Sequence, residues 1–261
     1  MLLKKKVSRK DHWPCGPAGK RLYAIGDVHG CLSELVCLLD MIERDHSGRP
    51  AKECHIVFLG DLIDRGPDSC GVVRLARQAL PAFARAHFIR GNHEEMLVRC
   101  LSGEPELIPA WLAHGGRSCA VSYGIDPSRL HDSDPGQLEH LLLSHIAADD
   151  IGFLAGCVDS VRFGDYLLVH AGIRPGVPLA EQKGRDLRWI RADFLESHLH
   201  HDAMIVHGHT ISENVVTRPN RIGIDTGAYQ SGRLSALRIE DDTTSALTTH
   251  MDDPFGQAQE R

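Results

Sequence analysis

GDVHG (26–30), GDLIDRG (60–66) and RGNHE (90–94) are short polar turns, and each directly follows an apolar run of strand length, at 22–25, 55–59 and 86–89. Runs rich in Val, Ile, Leu, Phe and Tyr that stop at a turn read as buried strands. Three more follow at 165–169, 203–206 and 221–224, leading into HAG (170–172), HGHT (207–210) and DTGAY (225–229). Between the first three runs the period changes. Leu32, Leu35, Val36, Leu39 and Ile42 fall on one helical face, and Val72, Val73, Ala76, Ala79 and Leu80 on another behind an N-cap at Asp68 or Ser69. A third helix runs on from GNHE through Met96, Leu97, Cys100 and Leu101. From about 160 the runs lie closer together with no helix evident between the last of them, which predicts hairpin-like strands. The expected fold class is α/β (α+β), a sandwich of mixed sheets with helices outside.

The stretch 103–156 reads differently. Trp111, Leu112, Leu138, Leu141, Leu142, Leu143 and Ile146 sit at helical spacings broken by DPSRLHDSDPGQ (126–137), which predicts a mostly helical insertion with no motif of its own. The domain is expected over 21–240, between a basic tail at 1–20 and a frayed polar tail at 241–261. The lysines and arginines at 4–10 read as a solvated end.

At 261 residues with 42% hydrophobic and 25% charged content, the chain can bury a sizeable core, and collagen-like, disordered and coiled-coil classes are excluded. A net charge of −6 with 5% aromatics argues against a nucleic-acid partner. No apolar run suits a signal peptide or a membrane span, so a cytoplasmic protein without a membrane partner is expected. The eight cysteines lack any CxxC pair and read as reduced core thiols. Histidine is the outlier at 17 residues, which calls for a search for metal ligands.

Turns past the carboxyl ends of strands gather on one edge of an α/β sheet, where ligands bind. Together these turns carry Asp27, His29, Asp61, Asp64, Arg65, Asn92, His93, His170, His207, His209 and Asp225. Oxygen and imidazole donors without thiols suit Mn²⁺, Fe²⁺, Zn²⁺ or Mg²⁺. Asp27 and His29, two apart in an extended turn, can face one ion, and Asp61 can bridge to a second. Glycines before Asp27, Asp61 and Asn92 let the backbone turn sharply and approach closely.

The five blocks GDVHG, GDLIDRG, GNHE, HAG and HGHT, in this order, resemble the signature of the phosphoprotein phosphatase family of metallophosphoesterases, most of all its bacterial and bacteriophage serine/threonine phosphatases. The resemblance spans about 21–238. It implies a four-layer calcineurin-like sandwich of two mixed β-sheets flanked by helices, with two divalent ions, Mn²⁺ foremost. Asp27, His29 and Asp61 would hold the first, and Asp61, Asn92, His170 and His209 the second. His209 is the ligand of HGHT because the family places it directly after the glycine. His207 would then lie near the substrate or behind the ligands. Ile211 stands where the phosphodiesterase branches carry a further histidine, which favours the phosphatase branch. His93 would be the general acid, Asp64 its orienting carboxylate, and Arg65, Arg191 (in RWIRADF) and Asn92 the contacts to phosphoryl oxygens.

Other groups admit two readings. Asp225 is a catalytic carboxylate or, preferably, a turn former. Tyr229 walls the substrate groove or packs the core. His198, His200 and His201 look like a metal tract but read as solvated surface. The expected activity is metal-dependent hydrolysis of phosphoserine and phosphothreonine in proteins or peptides, with phosphotyrosine as a further class. Symmetrical hydrolysis of dinucleoside tetraphosphates is the alternative, and Asp64 and Glu94 weigh against it, since those relatives tend to carry alanine and GNHD there. A silent phosphoprotein-binding scaffold would be expected to lack ligands or His93, and none is missing.

Overall fold

The computed structural model describes residues 13–78, 80–131 and 134–249. Ten strands form two five-stranded sheets. In the first, β1 (Lys20–Ile25), β2 (Glu53–Phe58) and β3 (Ala84–Phe88) run parallel. The second is built on β4 (Ser160–Phe163), β5 (Tyr166–Val169), β6 (Met204–His207), β7 (Val216–Arg218) and β8 (Arg221–Gly223). Here β5, β6 and β8 are parallel, while β4 and β7 pair antiparallel at the edges. The first sheet is completed by β9 (Ser235–Glu240), antiparallel to β1, and β10 (Thr243–Thr248) outside it.

Two expectations change. The runs at 165–169, 203–206 and 221–224 pair with one another in parallel, not as hairpins, because helical segments and the short strand β7 carry the chain back between them. Residues 243–248 form an edge strand on β9 and are not a frayed end; backbone pairing holds this polar segment without a large apolar face. Residues 14–16 are likewise stitched down: Gly16 N–H donates to the Asp241 carbonyl and the Tyr166 hydroxyl to that of Pro14. The basic cluster at 4–10 and the last twelve residues lie outside the described residues.

One apolar layer lies between the sheets, where Leu22, Val57, Leu168, Val206 and Ile224 meet. A second covers the outer face of the first sheet with α1 (Leu32–Ser47), α2 (Ser69–Gln78) and α3 (Asn92–Cys100). Asp68 is the cap of α2, accepting from the Gly71 N–H at 2.7 Å. On α1 the buried face is Leu35, Leu38, Leu39, Met41 and Ile42; Val36 points outward.

The stretch 103–156 carries α4 (Ile108–Trp111), α5 (Arg117–Ser122), α6 (Pro135–His145) and α7 (Ala148–Ala155). It buries Trp111, Leu112, Leu138, Leu141, Leu142 and Ile146, and leaves Leu143 exposed. The outer face of the second sheet packs on α8 (Gly184–Trp189) and α9 (Ala192–Leu195) through Leu187, Ile190 and Phe194. All eight cysteines are free and six are buried. No helix among the described residues is long and apolar enough to cross a membrane.

Candidate active site

Six non-glycine residues among those described have positive φ, and five of them are His29, Asp61, Asp64, Arg65 and His209. A left-handed backbone costs an L-residue energy and persists only where its surroundings enforce it, which is a mark of functional turns. Here the enforcement is visible. Glu94, fully buried, accepts from the backbone N–H groups of Asp61, Leu62 and Gly91, each at 2.8 Å, and so ties the GDLIDRG turn to the start of α3. Burial first, and the nearby Asp61 charge next, push the Glu94 carboxyl up to about 7. Of the three expected glycines only Gly60 is left-handed, at φ 103°. At Gly91 the need is room: a Cβ there would lie 2.1 Å from Asp61 Oδ1.

Asp61 is the centre of the site. Its Oδ2 lies 3.5 Å from His29 Nε2, 3.5 Å from His170 Nε2 and 3.9 Å from His93 Nε2. Two groups of donor atoms share it, His29–Asp61–His93 and Asp61–His170–His209, each within 4.8 Å and all buried. Carbonyl contacts orient the rings. His29 Nδ1 sits 2.9 Å from the Ile63 carbonyl, and His170 Nδ1 2.9 Å from that of Leu59. These contacts assign the ring protons to Nδ1 and leave Nε2 as a bare donor atom. His170 Nε2 faces Asn92 Oδ1 at 3.0 Å and His209 Nδ1 at 3.1 Å. Burial foremost lowers His29 to about 3 and His209 to about 2, so these imidazoles are neutral and able to ligate. His209 Nε2 is buried with no hydrogen-bond partner among the described residues. Converging lone pairs, neutral imidazoles and a shared carboxylate fit divalent cations.

The third member of the first group is His93, where the sequence reading has Asp27. Asp27 instead receives the His209 N–H on both carboxylate oxygens, at 3.0 and 3.1 Å, with Gly208 packed so close that a Cβ would lie 2.0 Å from Oδ1. Burial, then repulsion from Asp225 and Asp61, raises its carboxyl well above the usual range. Three carboxylates crowded this way call for positive charge.

The sequence reading makes His93 a general acid and Asp64 its orienting carboxylate, and the two side chains lie side by side. His93 Nδ1 lies 2.6 Å from Asp64 Oδ2, and the same oxygen accepts the Trp111 indole N–H at 2.9 Å. Burial alone would lower the His93 pKa, but the Asp61 charge and the Asp64 hydrogen bond outweigh it and raise it. Trp111, which the sequence shows only as an apolar residue at helical spacing, is thus part of the site. The insertion also supports Arg65: the Gly115 carbonyl accepts the Arg65 N–H at 3.0 Å.

The Arg65 guanidinium lies 4.9 Å over the Tyr229 ring, which meets His29 edge-on at 5.2 Å, so Tyr229 lines the site. Arg191 stands beside His209, its Nη1 3.3 Å from the His209 carbonyl and 3.4 Å from Thr210 Oγ1. The remaining candidates fall outside both donor groups. His207 is a core residue packed edge-on to Phe194 at 5.2 Å, and Asp225 closes a turn by accepting the Gly227 N–H at 2.9 Å. His198 and His200 are exposed, while His201 is half-buried against Phe194.

The family model for calcineurin-like phosphoesterases matches residues 20–233. The chain belongs to this family. Curated relatives named "Bis(5'-nucleosyl)-tetraphosphatase PrpE [asymmetrical]" include one from Bacillus velezensis, 29% identical over 250 residues, covering 87% of this chain and 92% of the relative. One from Bacillus subtilis is 28% identical over 254 residues, covering 91% and 97%. A solved structure named "Crystal structure of a putative diadenosine tetraphosphatase" matches with a TM-score of 0.62 at 20% identity, over 92% of this chain and 100% of the other. The cold-active protein-tyrosine phosphatase of a psychrophilic Shewanella matches with a TM-score of 0.51 at 20% identity, over 93% and 85%. Both are similar in fold to this chain, whose two mixed five-stranded sheets flanked by helices form the calcineurin-like arrangement.

Proposed function

We propose that this metallophosphoesterase cleaves the phosphoanhydride bridge of a dinucleoside tetraphosphate, and does so asymmetrically, to a triphosphate and a monophosphate. The observation that carries this reading is near end-to-end similarity to curated relatives named for that activity. It departs from the symmetrical cut, which the sequence suggests only as an alternative to protein dephosphorylation.

Asp27, His29 and Asp61 would hold one divalent cation, and Asp61, Asn92, His170 and His209 a second, with Mn²⁺ the expected ion. When bound, such cations neutralise phosphoryl oxygens and acidify water. The chain's own residues do the rest. Arg65, beside Tyr229, and Arg191, beside His209, take the phosphoryl oxygens that carry charge. His93 presents Nε2 toward the reacting group and supplies the leaving oxygen's proton. Asp64, fixed by Trp111, holds the Nδ1 proton and so keeps the ring turned inward. Tyr229 closes one wall. Eight free thiols accord with a reducing cytoplasm.

The His93–Asp64 pair also favours a second reading, hydrolysis of phosphoserine or phosphothreonine in peptides. Their alkoxide leaving groups need a proton more than a phosphate does. The test strips the protein with a chelator, restores Mn²⁺, and compares diadenosine tetraphosphate, a phosphothreonine peptide and p-nitrophenyl phosphate, with products separated by chromatography. ATP plus AMP supports the proposal, and two ADP indicates the symmetrical cut. Turnover of the peptide alone moves the site to protein dephosphorylation. Silence on all three removes the enzymatic reading.

A further inference from the structure

Beside the metal-ligand cluster opens a cavity of about 730 Å³, lined by residues of the segment 174–193 that connects β5 to β6 in the chain. Arg191 belongs to both places: it lines the cavity and touches the His209 carbonyl. Charge in the cavity is uneven. Arg174 is consumed by Asp186, at 2.6 Å, and by Asp193. Among the described residues Lys183, Arg185 and Arg191 make no ion pair, and Glu181 is the one lining carboxylate without a cation. Trp189 lines the same space with 38% of its surface exposed, yet it is held still, its indole N–H 2.6 Å from Glu95 Oε2 and Glu95 in turn 2.9 Å from Arg188 Nε.

Cations free to take phosphates beside a rigid, exposed aromatic face are the chemistry that recognises a nucleotide. We propose that this cavity is the subsite for the nucleotide part of the substrate beyond the phosphoryl group being cleaved. The inference rests on the reading above and deepens it. The reacting phosphoryl lies between Arg65 and Arg191, the remaining phosphates pass over Arg191 to Lys183 and Arg185, and the base lies on Trp189. The substrate-recognising segment is thus 174–193.

The test uses the Mn²⁺-loaded full chain and the double variant Lys183→Ala/Arg185→Ala, both exposed positions outside the metal and proton machinery. KM for diadenosine tetraphosphate is expected to rise about tenfold, the weight of one lost charged contact, with kcat unchanged. Both parameters for p-nitrophenyl phosphate should stay as they are. Trp189→Ala should raise KM for the dinucleotide similarly and Trp189→Phe much less, since the ring is what stacks. A KM for the dinucleotide within twofold of wild type, or an equal loss on p-nitrophenyl phosphate, overturns the subsite.

Should the wild-type chain leave the dinucleotide intact, the functional reading falls but the subsite is still decided. The probe is then ADP, with Mn²⁺ in excess of it, inhibiting p-nitrophenyl phosphate hydrolysis. Its inhibition constant should rise about tenfold in the double variant while that of inorganic phosphate does not move. An unchanged constant for ADP overturns the proposal.

Discussion

The two ends of β1 carry buried charge on opposite terms. At the amino end Arg21 is wholly buried, yet every arm is answered: Glu240 takes Nε and Nη2 at 2.8 and 3.0 Å, the Pro50 carbonyl also accepts from Nη2, and the His46 carbonyl accepts from Nη1. Asp45 beside it accepts from Tyr23, Arg49 and Arg238. At the carboxyl end Asp27, Asp61 and Asp225 repel one another, neutral imidazoles face each other, and Asp64 Oδ1 and His209 Nε2 have no hydrogen-bond partner among the described residues. Backbone strain gathers at that end too. Satisfied charge holds a fold together, whereas charge left incomplete and held in place by strain waits for a ligand.

If that contrast is sound, the carboxyl end should trade activity for stability. Asp61→Asn removes the atom common to both donor groups, and phosphatase kcat should fall by more than about 10³-fold, beyond the loss of any single fixed stabiliser. Asp27→Asn should also inactivate while leaving the metal-free protein as stable as wild type or more so, because it relieves a repulsion; thermal melts with and without chelator check this. A clear loss of metal-free stability would place Asp27 with the structural charges. His93→Ala should keep bound metal and lower kcat by about 10²-fold or more on a poor leaving group, as loss of a general acid does, and by less on p-nitrophenyl phosphate. Lost metal would make His93 a ligand, the role its place in the first donor group would otherwise allow.

The amino end should behave the other way round. Glu240→Gln leaves the Arg21 guanidinium buried beside a neutral amide and should cost about 3 kcal/mol of unfolding free energy, the low end for a broken buried pair because Glu240 keeps some contact with water. Activity at low temperature should not change. Arg21 foremost holds the Glu240 carboxyl down at about 2, from an ordinary 4.5. A depressed pKa contributes stability that is complete above the unfolded value and is lost as pH falls from about 4.5 toward 2. Urea midpoints measured across that window should therefore drop steeply in wild type and more gently in the variant.

What the sequence discloses divides along similar physical lines. The six apolar runs legible in it are the strands that pair in parallel, β1, β2, β3, β5, β6 and β8. Most are covered on both faces and so read as unbroken apolar stretches. The four it conceals, β4, β7, β9 and β10, pair antiparallel, with sequences such as SVRF, VTR and TTSALT that lack such a run. Site residues are legible because they follow the buried strands in turns, where a polar side chain has no packing task. Glu94 is visible as part of GNHE, but its three backbone partners are not, since two of them lie over thirty positions upstream. Lys183 and Arg185 look like any surface charge until the fold sets them beside Arg191.

Trp111 is the hardest residue to read and gives the smallest predicted effect. It is a satisfied contact at the unsatisfied end: its ring is buried in the helical core, and its one polar atom holds Asp64, 47 positions away. Trp111→Phe keeps most of the ring and deletes the N–H. Stability should fall by about 1 kcal/mol, the worth of one hydrogen bond. If the indole positions Asp64, and through it His93, kcat should fall about tenfold on a phosphothreonine peptide or the dinucleotide, the lower range for loss of a group that orients a functional side chain. On p-nitrophenyl phosphate, whose leaving group hardly needs the proton, the loss should nearly vanish while metal content stays constant. An equal loss on all substrates would make Trp111 core filling alone, and the insertion would then belong with the amino end of β1, as support for the fold with no share in the chemistry.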